Sequence, residues 1–122
     1  GPSQRAYAAA LRGPQDHIKE FVSKLKQRRN FFYKRVNEIK GLSCRKPGGA
    51  FYIFPKIDPL SLADDKKFVL DVLKEAHVIL VPGSGFDQTY GRGHFRSVLL
   101  PPIATLEKAL DAIEVFMKNK IR

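Results

Sequence analysis

Cysteine is nearly missing from this chain: Cys44 stands alone, so no intrachain disulfide can close. The three histidines, at 17, 77 and 94, are scattered and suggest no zinc motif. No metal site is expected. No apolar run approaches the roughly eighteen residues a membrane helix needs, and the N-terminus lacks the charged, greasy and small-residue succession of a signal peptide. A soluble, cytoplasmic protein with no membrane partner is the expectation. Repeats and low-complexity tracts are also absent. Acidic residues are scarce, 12 against 22 Lys and Arg, which leaves a formal charge of +10. That excess attracts phosphates or an acidic partner surface. It fits either a nucleic-acid-binding module or one piece of a larger protein whose remainder supplies the acids.

What is present suits one small folded domain. At 122 residues and 43% apolar composition, one core can form without help from metals or cross-links. Gly13 and Pro14 open the first clear element, since proline is tolerated in the first helical turn. Ile18, Phe21, Val22, Leu25, Phe32, Val36 and Ile39 then make a helical stripe that Gly41 closes. A helix over 14–40 is long for so small a domain and needs something outside the chain to lie against. The alanine-rich stretch 6–11 reads as a short helix before it.

Beyond Gly41 the pattern turns to strands. Segments 42–45 and 51–57 flank the turn Pro47-Gly48-Gly49, and 51–57 is rich in aromatic and β-branched residues. Ser61 and Asp64 have capping-box spacing ahead of a helix over 64–76. Val78 to Val81 reads as a buried strand stopped by Pro82, and 94–100 as another strand after a glycine-rich loop. Pro101-Pro102 leads into a helix over 103–120 with a clean apolar stripe. The predicted class is α+β: a short, mainly antiparallel sheet packed by helices, with a long N-terminal helix.

The basic helix carries Lys24, Lys26, Arg28, Arg29, Lys34 and Arg35 beside Phe31, Phe32 and Tyr33, residue types that could contact phosphates and stack on bases. The charges are spread round the helix, however, and the aromatics fall on the packing stripe, so a solvated helix is favoured. Gly83, Gly85, Gly91 and Gly93 match neither a dinucleotide fingerprint nor a Walker loop. His94 beside a strand reads as a hydrogen-bonded structural residue. Arg96 is the informative position, because a charge inside an apolar strand must find a partner or face a ligand. Its planar fork suits a carboxylate held by two parallel bonds; an internal Asp or Glu partner is the equal alternative. No Ser/His/Asp set, carboxylate pair or Cys/His pair accompanies it, so no catalytic residue is assigned.

The motifs Pro47-Gly48-Gly49-Ala50-Phe51-Tyr52-Ile53-Phe54-Pro55, Glu75-Ala76-His77-Val78-Ile79-Leu80-Val81-Pro82-Gly83-Ser84-Gly85-Phe86 and Gly91-Arg92-Gly93-His94-Phe95-Arg96, in that order, resemble the C-terminal small domain of class I/II pyridoxal-phosphate aminotransferases, of the alanine/aspartate aminotransferase-like kind. The likeness runs from about Ala10 to the final helix. It implies that residues 1–122 are one domain of a longer chain, and that Arg96 grips the α-carboxylate of an amino-acid or 2-oxo-acid substrate. It further implies that Phe51 shapes the pocket wall and that Gly83, Ser84, Gly85 and Phe86 belong to a mobile loop closing over substrate. Asp87-Gln88-Thr89-Tyr90 departs from the family pattern, standing where a glycine more commonly follows the phenylalanine. The resemblance places the Schiff-base lysine, the aspartate facing the pyridine nitrogen and the phosphate-binding residues in a large domain upstream. Pyridoxal phosphate is thus the cofactor of the parent, not bound covalently by this chain. The implied partners are that large domain and, in the parent, a second copy; the chain alone is expected to be inactive.

Overall fold

The computed structural model describes residues 1–121 and is an α+β domain. Four helices, α1 (Pro2–Arg12), α2 (Asp16–Asn37), α3 (Asp65–Ala76) and α4 (Ile103–Lys120), accompany five short strands: β1 (Leu42–Ser43), β2 (Tyr52–Ile53), β3 (Lys56–Ile57), β4 (Val81–Pro82) and β5 (Phe95–Val98). All pairings are antiparallel. β1 pairs with β3, and β5 lies between β2 and β4. A single bridge between Lys56 and His94 joins the two groups.

The core lies between the inner face of this sheet and the helices α2, α3 and α4. Phe32 and Val36 of α2, Phe68 and Val72 of α3, and Leu110, Ile113, Phe116 and Met117 of α4 close over Ile53, Ile57, Phe95 and Leu99. Each helix delivers these residues at the three- and four-residue spacing that keeps them on one face. Phe68 ties the layers together, stacking on Phe95 with ring centroids 5.6 Å apart and meeting Phe116 edge-on.

Several boundaries differ from the sequence reading. The helix expected over 14–40 is α2 alone, because the chain breaks at Gly13-Pro14 and α1 precedes it as a separate helix from Pro2. Gly13 donates its N–H to the Ala9 carbonyl and ends α1; Pro14 then cannot supply the N–H that continuing the helix would require. Only Phe32 and Val36 of α2 are fully buried, and Ile18, Phe21 and Val22 in its first half are half-exposed. Asp64, not Ser61, caps α3, its carboxylate accepting from the Lys67 N–H at 3.2 Å, while 60–62 forms a 3-10 turn. The strand expected over 51–57 is split at Phe54-Pro55, since proline has no N–H for a ladder, and its halves pair with different partners. Of the run 78–81 only Val81 enters the sheet, and Ile79 is largely exposed. Gly41 must be glycine: its φ is +97°, and a Cβ there would lie 2.5 Å from the Ile121 side chain.

Candidate functional site

β5 sorts its side chains by strand alternation. Phe95 and Leu99 are buried in the core, so Arg96 and Val98 project from the opposite, outward face. The register sets Val81 opposite Arg96 and Tyr52 opposite Val98, which makes Tyr52 the diagonal neighbour of Arg96 on that face. The Arg96 guanidinium carbon lies 4.0 Å from the centroid of the Tyr52 ring and 4.0 Å from that of Phe86. Two aromatic rings thus sandwich a planar cation.

The sandwich fixes what Arg96 can do. Each ring attracts the cation by about 0.5–2 kcal/mol, but rings offer nothing to the N–H donors at the guanidinium edge. Arg96 Nε is buried with no hydrogen-bond partner, and no carboxylate among the described residues pairs with it. An unmade bond at a buried charged donor costs about 1–3 kcal/mol or more. With both faces covered, the free directions lie in the plane, where a carboxylate makes two parallel bonds. Of the two readings open at the sequence level, the internal acid partner is excluded among the described residues.

Arg96 lines a cleft of about 670 Å³ whose walls include Cys44, Tyr52, Phe54 and His94, and whose charged lining residues, Arg45, Lys46, Lys56 and Arg96, are all basic. His94 stacks flat on Phe54, centroids 5.1 Å apart, and its Nδ1 lies 2.9 Å from the Arg92 carbonyl. A carbonyl only accepts, so Nδ1 carries the proton. The His94 ring is thus hydrogen-bonded to the backbone while it lines the cleft.

Behind the cleft, the glycine-rich segment is held by close backbone approach. A Cβ on Gly83 would sit 2.1 Å from the Gly91 carbonyl oxygen, and one on Gly91 would sit 2.1 Å from that of Gly83. Gly83 also donates its N–H to the His94 carbonyl at 2.8 Å. Gly83 and Ser84 are buried, whereas Gly85 and Phe86 are exposed. Asp65, buried in the first turn of α3, accepts from the Ser84 hydroxyl at 2.6 Å, the Ser84 N–H at 3.0 Å and, more weakly, the Gly93 N–H at 3.4 Å. Burial alone would raise the Asp65 carboxyl, but these bonds outweigh it and hold it below the usual carboxylate range.

The structure brings Arg96 and Phe86 together and sets the Phe51 ring against that of Tyr52, centroids 4.5 Å apart. Phe51 does not line the Arg96 cleft; it lines a separate cavity of about 310 Å³ against Phe21, Val22 and Leu25 of α2. Tyr52, the first residue of β2, lines the cleft and is the ring beside Arg96. Tyr52 and Asp65 were missed from the sequence. Alternation from the buried Ile53 points to Tyr52, but nothing local distinguishes Asp65 from the capping Asp64 beside it.

The aromatics singled out on the basic helix are used in packing. Phe32 is in the core, with Phe31 and Tyr33 packed against it. Arg28 and Arg29 donate to the Leu100 and Pro47 carbonyls, and Arg35 is paired with Asp111 and Glu114. Among the described residues no helix is long and apolar enough to cross a membrane.

Residues 1–113 match the model of the aminotransferase class I and II family, and the chain belongs to that family. It is 40% identical over 123 aligned residues to the glutamate-pyruvate aminotransferase AlaA of Haemophilus influenzae, covering 97% of this chain and 30% of that protein. Against the aromatic-amino-acid aminotransferase 2 of Thermococcus litoralis the identity is 41%, covering 96% and 30%. Among solved structures, an alanine aminotransferase from Pyrococcus furiosus superposes with a TM-score of 0.92 at 58% identity, over 97% of this chain and 30% of that one. The chain therefore spans about a third of the length of the proteins it matches.

Proposed function

We propose that residues 1–122 form the C-terminal small domain of a pyridoxal-phosphate-dependent aminotransferase, in which Arg96 holds the carboxylate of an amino acid or 2-oxo acid during amino-group transfer. The observation that carries this reading is the Arg96 guanidinium, clamped by two rings at 4.0 Å with a buried and unpartnered Nε. In this arrangement Tyr52 and Phe86 orient the fork and keep water from its faces, so the carboxylate of a substrate meets donors that need no reorganisation. The surrounding Arg45, Lys46 and Lys56 add a field that draws anions toward the cleft.

The cofactor is not held covalently here. A Schiff-base lysine works from a desolvated pocket, and every lysine of this chain is exposed. The residues present do not fit that role, so the attachment is assigned to a part of the longer protein outside this sequence. The half-exposed Ile18, Phe21 and Val22 of α2, with Tyr7 and Leu11 of α1, form an apolar surface suited to packing against that part. A second copy is the further partner in the parent, as the family resemblance implies.

Arg96→Lys in the longer protein tests the reading. Lysine keeps the charge and loses the fork, and a charged hydrogen bond is worth about 1.5–3 kcal/mol, so kcat/KM for amino acids should fall about 10- to 150-fold. An unchanged kcat/KM would overturn the assignment. The 122-residue chain, mixed with pyridoxal phosphate and trapped with borohydride, should show scattered surface labelling and no transamination; one stoichiometric lysine adduct would contradict the proposal.

A further inference from the structure

We propose that Asp65 is a positioning residue for the Arg96 site, setting Phe86 and Arg96 against each other by anchoring both chain segments that carry them. The inference rests on the reading of Arg96 as a carboxylate grip. One oxygen of Asp65 accepts from the hydroxyl and the N–H of Ser84, and the other from the N–H of Gly93. Ser84 lies two residues before Phe86, whose ring covers one face of the guanidinium, and Gly93 lies three residues before Arg96. A single buried side chain thus reaches both halves of the clamp.

Asp65 stands on a packed element. It lies in the first turn of α3, whose Phe68, Val69 and Val72 are buried in the core. The base of the loop is closed without it, since Gly83 donates to the His94 carbonyl and Gly83 and Gly91 pack backbone to backbone. What Asp65 adds is the orientation of the turn above that base, where the Phe86 N–H returns to the Gly83 carbonyl at 2.9 Å. Its negative charge is taken up by these donors and forms no ion pair with Arg96. It can therefore hold the arginine in place without neutralising the charge that a substrate must meet.

The test uses this chain and its Asp65→Asn and Ser84→Ala variants, read by the side-chain NMR signals of Arg96. Between two rings these protons are displaced upfield by ring currents. Asn replaces an acceptor oxygen by a donor, and Ala removes the hydroxyl while leaving the Ser84 and Gly93 N–H bonds. Both variants should return the Arg96 signals most of the way to ordinary arginine positions, while the core rings of Phe68 and Phe95 keep theirs. Unchanged Arg96 signals in a folded variant would overturn the proposal. Should Asp65→Asn unfold, Ser84→Ala decides by the same criterion.

In the longer enzyme, Ser84→Ala should raise KM for the amino acid about tenfold with a smaller change in kcat, a split that general loosening of the fold would not produce. If Arg96→Lys impairs the enzyme and Ser84→Ala leaves KM unchanged, the positioning role fails and the carboxylate grip stands. If Arg96→Lys is itself silent, the carboxylate grip fails.

Discussion

Arg35, on the seam between α2 and α4, is met by two carboxylates, whereas Arg96, on the outward face of β5, is met by two aromatic rings. Arg35 donates to both oxygens of Glu114 at 3.1 Å and to Asp111 at 2.9 Å. These bonds raise its pKa further, the one to Glu114 most, and the same contact holds the Glu114 carboxyl below the usual range. Three of its five N–H donors are taken up by these two carboxylates. Arg96 has its faces covered and its donors unspent. The difference separates an arginine that fastens helices from one kept available: the first is satisfied within the chain, and the second waits for an acceptor that the chain does not supply.

The contrast can be broken from either side. The largest effect is expected from Gly83→Ala, which drives a Cβ onto the Gly91 and His94 carbonyls. Overpacking against backbone costs about 3 kcal/mol, measurable by urea unfolding. Amide exchange should accelerate over 83–95 more than along the α2–α4 seam; uniform acceleration would mean that the two regions are not separable. Arg35→Met comes next, losing about 1 kcal/mol because its partners are partly exposed and such pairs are weak. Arg96→Met, by contrast, removes an unsatisfied buried donor along with its ring contacts, and its unfolding free energy should stay within about 0.5 kcal/mol of the parent.

Acid supplies the smallest effect. Asp65 and Glu114 titrate below the usual carboxylate range, so between the folded and unfolded pKa values the unfolded chain binds more protons. Their contribution is fully present above about pH 5 and fades as pH falls through about 4 and below. Thermal midpoints from pH 6 to pH 3 should decline less steeply in Asp65→Asn than in the parent.

Much of this fold was legible from periodicity alone. The periodicity places the last helix at its observed bounds, since its stripe runs without interruption from Leu106 to Met117. The breaks were harder, because Pro14 suits the start of a helix as well as a gap between two, and Phe54-Pro55 interrupts a strand without changing its apolar character. The site was half legible. A lone charge in an apolar strand singled out Arg96, but its surroundings depend on which residues face outward and on a buried hydrogen bond from Ser84 to Asp65 across 19 positions, a pairing that no local pattern encodes.

Arg96 is held ready for an outside carboxylate, whereas Arg35 is paired within the chain. Titrating the chain with acetate, with arginine side-chain signals followed by NMR, tests it directly. The Arg96 signals should shift with saturation, weaken at high salt and vanish from the response in Arg96→Lys, while those of Arg35 stay still. An Arg96 that does not respond, or an Arg35 that responds equally, would contradict the account.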